Sequence, residues 1–277
     1  MCKECGCGQP HHHSHEHGHS HEHGHDHHDH DHEHGHWHSH DGGKTFHSHD
    51  HAGTAPQVRK VPLEQAVLAD NDEAAARNRA WFAERGITAY NLISSPGSGK
   101  TALLVETLKK LDVPAAVIVG DPYGEYDAER MRATGAPVTQ IQVHESCHLS
   151  ALQVHAVLET AVPEGTKIVF IENVGNLVCP VAFDLGENAK IALLSTPEGE
   201  EKPLKYPALF AAADIVLLTK ADAAEALGCD MDLMEKNVRR IHPDAQIFRV
   251  SARTGDGLDA WLNALKQNQI KIKEGVL

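Results

Sequence analysis

The chain has 277 residues and 24 histidines, and 20 of those histidines fall within residues 1–51, so a ligand-rich segment precedes an ordinary globular one. The formal charge of −14 is shared equally, with two lysines against nine acidic residues in 1–51 and 23 basic against 30 acidic residues beyond. Neither half carries the clustered Lys/Arg of a nucleic-acid binder, no apolar run approaches the ~20 residues that span a bilayer, and the N-terminus has no apolar signal core. A cytoplasmic protein with no membrane partner is expected, and its six cysteines are then read as metal or redox groups before disulfides.

Cys2, Cys5 and Cys7 lie within reach of the N-terminal amine. One amine and three thiolates make a four-donor set suited to square-planar Ni(II) or Cu(II), with tetrahedral Zn(II) as the competitor; a flexible reactive-thiol tail is the alternative. From His11 to His51, imidazoles alternate with Asp, Glu, Gly and Ser, and Trp37 and Phe46 are the only large apolar side chains. Such a segment cannot bury enough surface to offset its ordering entropy, so 1–51 is expected to be disordered without metal and to hold several ions with modest selectivity, as a store would. Protons should compete with those ions as the pH falls below the ordinary imidazole pKa. Residues 52–62 read as a linker, and 63–277 as one α/β domain.

Leu63–Arg85 reads as one or two helices ending at Gly86. Ala89–Ile93 is a short apolar strand that runs into Ser94-Ser95-Pro96-Gly97-Ser98-Gly99-Lys100-Thr101, followed by a helical pattern over Ala102–Leu111. Strand, glycine-rich loop and helix are the context in which a Walker A loop is credible. Gly97 and Gly99 let backbone N–H groups turn onto phosphate oxygens, Lys100 reaches the β- and γ-phosphates, and Thr101 offers a hydroxyl to Mg²⁺. Pro96, Ser98 and Ala102 complete the cradle, and Ser94 stands where the first glycine is usual.

Ala115–Val119 is a second strand closed by Gly120-Asp121, with Asp121 placed to orient water or serve Mg²⁺. Pro122–Asp127 reads as a γ-phosphate-sensing switch. Asp127 is either a carboxylate for that site or the cap of a helix over Ala128–Ala133. Lys167–Ile171 is a strand ending in Glu172-Asn173-Val174-Gly175, where Glu172 takes the strand-end carboxylate position and Gly175 offers an N–H to a γ-phosphate; Lys100, Asp121 and Glu172 are the expected catalytic groups.

Ile191–Leu194 and Asp214–Leu218 are further strands, the second leading into Thr219-Lys220-Ala221-Asp222. A carboxylate at Asp222 accepts both N1–H and the N2 amino hydrogens of guanine while the stem of Lys220 packs on the base. Adenine would leave that charge unpaired, so GTP is favoured over ATP. Thr219 replaces the commoner Asn, and a hydrogen bond towards the base or the P-loop is expected to be lost or shortened. Gln246–Val250 is the last strand, followed by Ser251-Ala252-Arg253, with the Ala252 N–H in reach of guanine O6, and a final helix over Leu258–Gln267. The alternation implies a mainly parallel sheet with helices on both faces.

Cys147-His148 opens an expected helix over Leu149–Glu159, and Cys179 follows Glu172 by seven residues. Adjacent Cys and His are a poor chelate alone; doubled across a dimer they make four ligands, and joined by Cys179 they supply three towards a four-ligand site. Spacing leaves that reading and an ordinary structural one open. Cys229 reads as a small buried hydrophobe, His155 as a satisfied core or interface group, and His242 as the end of a helix.

Taken together, the chain resembles the hydrogenase-maturation nickel GTPases called HypB. The resemblance rests on Cys2-x-x-Cys5-Gly6-Cys7, the His-rich insertion, SSPGSGKT, Asp127-Ala128-Glu129-Arg130, Cys147-His148-Leu149, Glu172 to Pro180, and TKAD. It implies a P-loop NTPase of SIMIBI type, a GTP-dependent homodimer that delivers Ni²⁺ to the [NiFe] hydrogenase large-subunit precursor with a small zinc-containing partner, HypA. It also implies a tight nickel site at the N-terminal cysteines and a weaker nickel or zinc site at Cys147, His148 and Cys179. A urease-type nickel GTPase and a nickel store with residual nucleotide binding are the competing readings. The first fits less well, since its inner motif is usually Cys-Pro-His.

Overall fold

The computed structural model describes residues 63–121, 124–144 and 146–273. Cys2, Cys5, Cys7, the histidine tract, the linker, and Pro122 and Tyr123 of the switch segment lie outside them. In chain order the elements are α1 (Leu63–Glu84), β1 (Thr88–Ser94), α2 (Lys100–Lys110), β2 (Ala115–Asp121), α3 (Tyr126–Arg132), β3 (Val138–Gln142), α4 (Ala151–Ala161) and β4 (Ile168–Glu172). They continue with α5 (Cys179–Ala182), β5 (Ala189–Ser195), a 3-10 turn (Thr196–Glu198), α6 (Lys202–Lys205), α7 (Pro207–Ala212), β6 (Ile215–Thr219), a second 3-10 turn (Ala221–Ala223), α8 (Ala224–Leu227), α9 (Met231–Ile241), β7 (Gln246–Arg249) and α10 (Leu258–Lys273).

The seven strands are all parallel in the order β3-β2-β4-β1-β5-β6-β7. Central strands covered on both faces need apolar residues at nearly every position, which is how β4 and β6 read; β1 is buried along its whole length too, with its internal polar residue Asn91 donating to Glu187. One face carries Leu92, Phe170, Leu193 and Leu217 against α2 and α10, with Trp261 and Leu265 fully inside. The residues one step along each strand point to the other face, Val169 and Ile171 towards α1 and α4, and Ile93, Leu194 and Leu218 towards α7 and α9. Chain order reverses around β1, and that is where a ligand crevice opens in such sheets.

β3 is a strand the sequence pattern does not announce. Thr139, Gln140 and Gln142 give it the look of a loop, and it forms because it needs only one neighbour: at the sheet edge it pairs with β2 alone, Val138 facing one core cluster and Ile141 the other. The expected helix at Leu149 begins later, at Ala151, because Ser150 caps it. Ser150 Oγ accepts from Gln153 N at 3.3 Å while Gln153 Oε1 accepts from Ser150 N at 2.9 Å, a reciprocal capping box. The helix expected over Ala128–Ala133 runs instead from Tyr126 to Arg132, with Glu125 at its N-cap position, so Asp127 lies inside the first turn and does not cap it.

α1 is one helix, and it is fastened to the domain by polar as well as apolar contacts. Ala74 and Ala75 are fully buried, and two buried asparagines flank them. Asn71 donates to Asp184 O at 2.7 Å and accepts from Ala151 N at 2.8 Å; Asn78 donates to Ala151 O at 2.9 Å and to Leu185 O at 3.0 Å. His155 Nδ1 meets Asn78 Oδ1 at 2.8 Å, so this histidine is satisfied although its ring is exposed. A buried carbonyl left without its donor costs roughly 1–3 kcal/mol. Asn78→Ala, which strips two of them, is expected to lower stability by about 2–4 kcal/mol in urea unfolding, with an unchanged denaturant slope.

Candidate nucleotide and metal site

The strand carboxyl ends carry the phosphate cleft. β1 ends at Ser94, the loop turns through Gly99 in the left-handed region (φ 95°), and α2 starts at Lys100. A side chain at Gly99 would be strained there, and its backbone conformation is what directs the first N–H groups of α2 into the loop. Lys100 is buried and donates to Ser94 Oγ at 2.8 Å; Thr101 Oγ1 donates to Glu172 Oε1 at 2.9 Å. Glu172, 5 % exposed, leaves Oε2 buried without a hydrogen-bond partner. Burial pushes its pKa up to about 7 against the pull of Lys100, and burial lowers the pKa of Lys100. Two desolvated groups of opposite sign, one with an orphaned oxygen, fit a divalent cation at Thr101–Glu172 and a polyphosphate at Lys100.

A cleft of about 470 Å³ joins these groups with Pro96, Gly97, Ala102, Asp121, Asp127, Arg130 and Gly175. Asp121 at the end of β2 accepts from Gly124 N at 3.0 Å, so one carboxylate both faces the cleft and holds the far side of the switch segment. Gly175 lies so close to the P-loop that an added Cβ would stand 2.9 Å from Pro96 Cα. The residue after β4 that is expected to meet a γ-phosphate is thus packed directly on the loop that cradles it.

A second cleft, of about 380 Å³, adjoins the first and is bounded by Gly99, Ala102, Thr219, Lys220, Asp222, Ala252 and Arg253. Asp222 is pre-oriented: Ser251 Oγ donates to Oδ1 at 2.6 Å, Arg253 Nη1 stands 3.5 Å from Oδ2, and Ser251 Oγ in turn accepts from Arg253 N and Thr254 N at 3.2 and 3.1 Å. Ser251, expected at the base, has its hydroxyl committed to Asp222. Of the contacts expected to be lost or shortened through Thr219, towards the base or the P-loop, the one to the P-loop is present: its Oγ1 donates to Ser98 O at 2.6 Å. Lys220, itself left-handed at φ 57°, donates to Gly97 O at 2.7 Å. The shorter threonine still reaches the P-loop because β6 ends close beside it.

Ser98 shows a link that motif reading missed. Its hydroxyl donates to Ser95 O at 3.0 Å and to Glu198 Oε2 at 2.8 Å, and the same oxygen accepts from Ser195 N at 2.9 Å. Against its partial burial, hydrogen bonding by the Ser95 side chain, then by the Ser195 N–H and the Ser98 hydroxyl, holds the Glu198 pKa below the ordinary value, while Thr196 Oγ1 donates to Lys220 O at 3.1 Å. The turn after β5 therefore ties the phosphate loop to the base loop; its Ser195-x-x-Glu198 capping-box spacing is the signal that was available. Arg130, which the sequence shows only as part of a motif and without a role, lines both clefts 3.7 Å from Asp127.

Cys147 and His148 are side by side, Sγ to Nδ1 3.7 Å, with His148 buried and stacked on Phe183 at 3.8 Å between ring centroids. Cys179 is half-buried at the start of α5. Among the described residues no three His, Cys, Asp or Glu side chains are gathered closely enough to hold a metal ion, so the structure does not bring Cys179 into one cluster with Cys147 and His148. Cys229 packs beside the α7–α9 core, where burial pushes its thiol pKa up, and His242 caps α9. No described helix is long and apolar enough to cross a membrane.

Residues 88–249 match the family model "CobW/HypB/UreG, nucleotide-binding domain". Hydrogenase maturation factor HypB of Azotobacter vinelandii is 50% identical over 215 residues, 76% of this chain and 71% of that protein; its counterpart in Escherichia coli K12 is 47% identical over 230 residues, 81% and 79%. A crystal structure of HypB from Helicobacter pylori in complex with nickel superimposes with a TM-score of 0.70 at 36% identity, covering 75% of this chain and 97% of that one. With a seven-stranded parallel sheet, a P-loop after its central strand and this degree of likeness, the chain belongs to the HypB family of P-loop nucleotide-binding proteins.

Proposed function

We propose that the protein is a GTP-hydrolysing nickel metallochaperone, acting in the cytoplasm in maturation of the [NiFe] hydrogenase large subunit, in which triphosphate occupancy sets how firmly nickel is held at Cys147, His148 and Cys179. The observation that carries the proposal is the packing of Gly175 on Pro96: the segment that leads from Glu172 to Cys179 cannot move without the phosphate loop registering it. Relatives of this family are named hydrogenase maturation factors, and one has been crystallised with nickel.

The chemistry follows from the placement of groups. Lys100, released from Ser94 Oγ, neutralises charge on the β- and γ-phosphates, and the first N–H groups of α2 supplement it. Thr101 and Glu172 are the residues that would hold Mg²⁺, with Asp121 as an outer partner; the ion would supply charge neutralisation of the β- and γ-phosphates. Asp121 and Asp127 are the carboxylates in the cleft that can orient an attacking water. Asp222, held by Ser251 and Arg253, takes the guanine edge, and the stem of Lys220 covers the base.

Nickel is cargo, and Zn²⁺ competes for the same thiolates. The three inner ligands are not gathered within one chain, which agrees with a site completed by a second copy or by closure of the switch. A GTP-dependent homodimer would supply the first, and a HypA-type zinc protein is the partner on the transfer route. Cys2, Cys5, Cys7 and the histidine tract act as the high-affinity site and the reserve.

Three outcomes test this reading. Asp222→Ala should weaken GDP binding by about 100-fold or more while leaving ADP binding nearly unchanged, because a guanine edge loses two charge-assisted hydrogen bonds of roughly 1.5–3 kcal/mol each; calorimetry showing an intact guanine preference would refute the base assignment. Gly175→Ala, whose added Cβ would stand 2.9 Å from Pro96 Cα, should push the backbone N–H of residue 175 and the P-loop apart, lowering the hydrolysis rate by roughly 100-fold, the scale of misplacing one donor to developing charge, with a smaller loss of GDP affinity. Nickel affinity of the full chain, measured with GDP and with a non-hydrolysable GTP analogue, should differ by about 5- to 150-fold, with the reciprocal change in nucleotide affinity that linkage requires. Equal affinities in the two nucleotide states would end the coupling proposal.

A further inference from the structure

Resting on the reading of Cys147 and Cys179 as nickel thiols, we infer that Asn176 is the positioning residue that sets the distance between the two thiol-bearing segments and passes the nucleotide state to them. Its Nδ2 donates to Cys147 O at 3.3 Å and its Oδ1 accepts from Val178 N at 2.9 Å. One side-chain amide therefore holds the backbone of the first cysteine and the peptide N–H immediately before the second.

The attachment is directional. An amide has one donor end and one acceptor end, and here the donor is used on the segment after β3 and the acceptor on the segment after β4. A second asparagine, Asn173, repeats the link three residues closer to the end of β4: its Oδ1 accepts from Leu149 N at 3.1 Å and Val174 N at 3.0 Å, and its Nδ2 donates to Asn91 Oδ1 at 3.2 Å. Asn173 is buried and anchored to the central strand, so it is the fixed pivot. Asn176 is half-buried and lies beyond Gly175, so any displacement of Gly175 by a γ-phosphate reaches it first. Residues that orient metal ligands without touching the ion typically carry 10- to 100-fold of the affinity.

The test uses the full-length chain and residue-resolved alkylation. Free Ni²⁺ is fixed with a chelating buffer so that the histidine tract does not deplete it, and modification of Cys147 and Cys179 by iodoacetamide is read by peptide mass spectrometry with GDP or a non-hydrolysable GTP analogue present. In the native chain nickel protects both thiols, at a midpoint that depends on the nucleotide. Asn176→Ala is expected to raise the midpoint about tenfold and to bring the ratio between the two nucleotide states towards one, with GDP affinity within about twofold because the base pocket shares no partner with Asn176. Asn176→Asp keeps the acceptor for Val178 N but turns a carboxylate oxygen onto Cys147 O in place of the donor, and should shift the midpoint at least as far as alanine does. It also decides the matter if the alanine chain does not fold. A folded variant protected at the native midpoint with the native nucleotide ratio overturns the inference. Thiols unprotected by nickel in the native chain would instead sink the reading of Cys147 and Cys179 on which it rests.

Discussion

The rest of the site depends on the phosphate loop being gripped from three sides by loops of three different strands. Gly175 after β4 presses on Pro96, Glu198 after β5 accepts from Ser98, and Thr219 and Lys220 at the end of β6 donate to the carbonyls of Ser98 and Gly97. A glycine-rich loop alone has a large conformational entropy to lose. With its outward carbonyls engaged by neighbours, its inward N–H groups are left aimed at the ligand before the ligand arrives, which is the form electrostatic preorganisation takes in phosphoryl transfer.

The same grip explains why phosphate and base recognition are not independent. Thr219 begins the base loop and ends on the P-loop, Thr196 holds the carbonyl of Lys220, and Ser251 and Arg253 orient Asp222. Lys220 occupies a left-handed conformation that a side chain rarely adopts, and the bonds at its Nζ and carbonyl hold it there. The strain is local, at the residue whose stem covers the base, and it is offset by contacts to both neighbouring loops.

Much of this was legible in the residues. Strands buried on both faces, such as Ile168–Glu172 and Ile215–Thr219, are short runs of apolar residues, and the Walker A loop and Thr219–Asp222 declare their chemistry by residue type and order. What stayed hidden had physical reasons. β3 is an edge strand with one apolar residue per face, so it has no burial pattern to show. The start of α4 is not fixed by the apolar pattern, which already includes Leu149; the cap at Ser150 sets it two residues later, at Ala151. Asp127 fitted two roles by type, and only the observed start of α3 at Tyr126 removes the capping one. Glu198 was missed because a carboxylate 100 residues from the serine that it holds has no sequence relation to it beyond a local capping spacing.

The strand order gives the thiol segments their relation to the switch. β2 lies between β3 and β4 in the sheet, so the segment that leaves Asp121 at the end of β2 emerges between the chain that carries Cys147 and the chain that carries Cys179. Cys147-His148 follows β3 and Cys179 follows β4, and the two are separated in sequence by all of α4 and β4. A ligand set contained in a single tripeptide would be assembled by local backbone geometry whatever the nucleotide. If Cys147, His148 and Cys179 act as one ligand set, as proposed, a set divided between the loops after β3 and β4 would change its geometry when those loops move, because packed elements have discrete arrangements and do not deform continuously. Asn173 and Asn176 are the polar links across this gap, and on the proposed reading of Cys147, His148 and Cys179 as nickel ligands, their division between flanking strands is what would let nickel affinity follow the nucleotide.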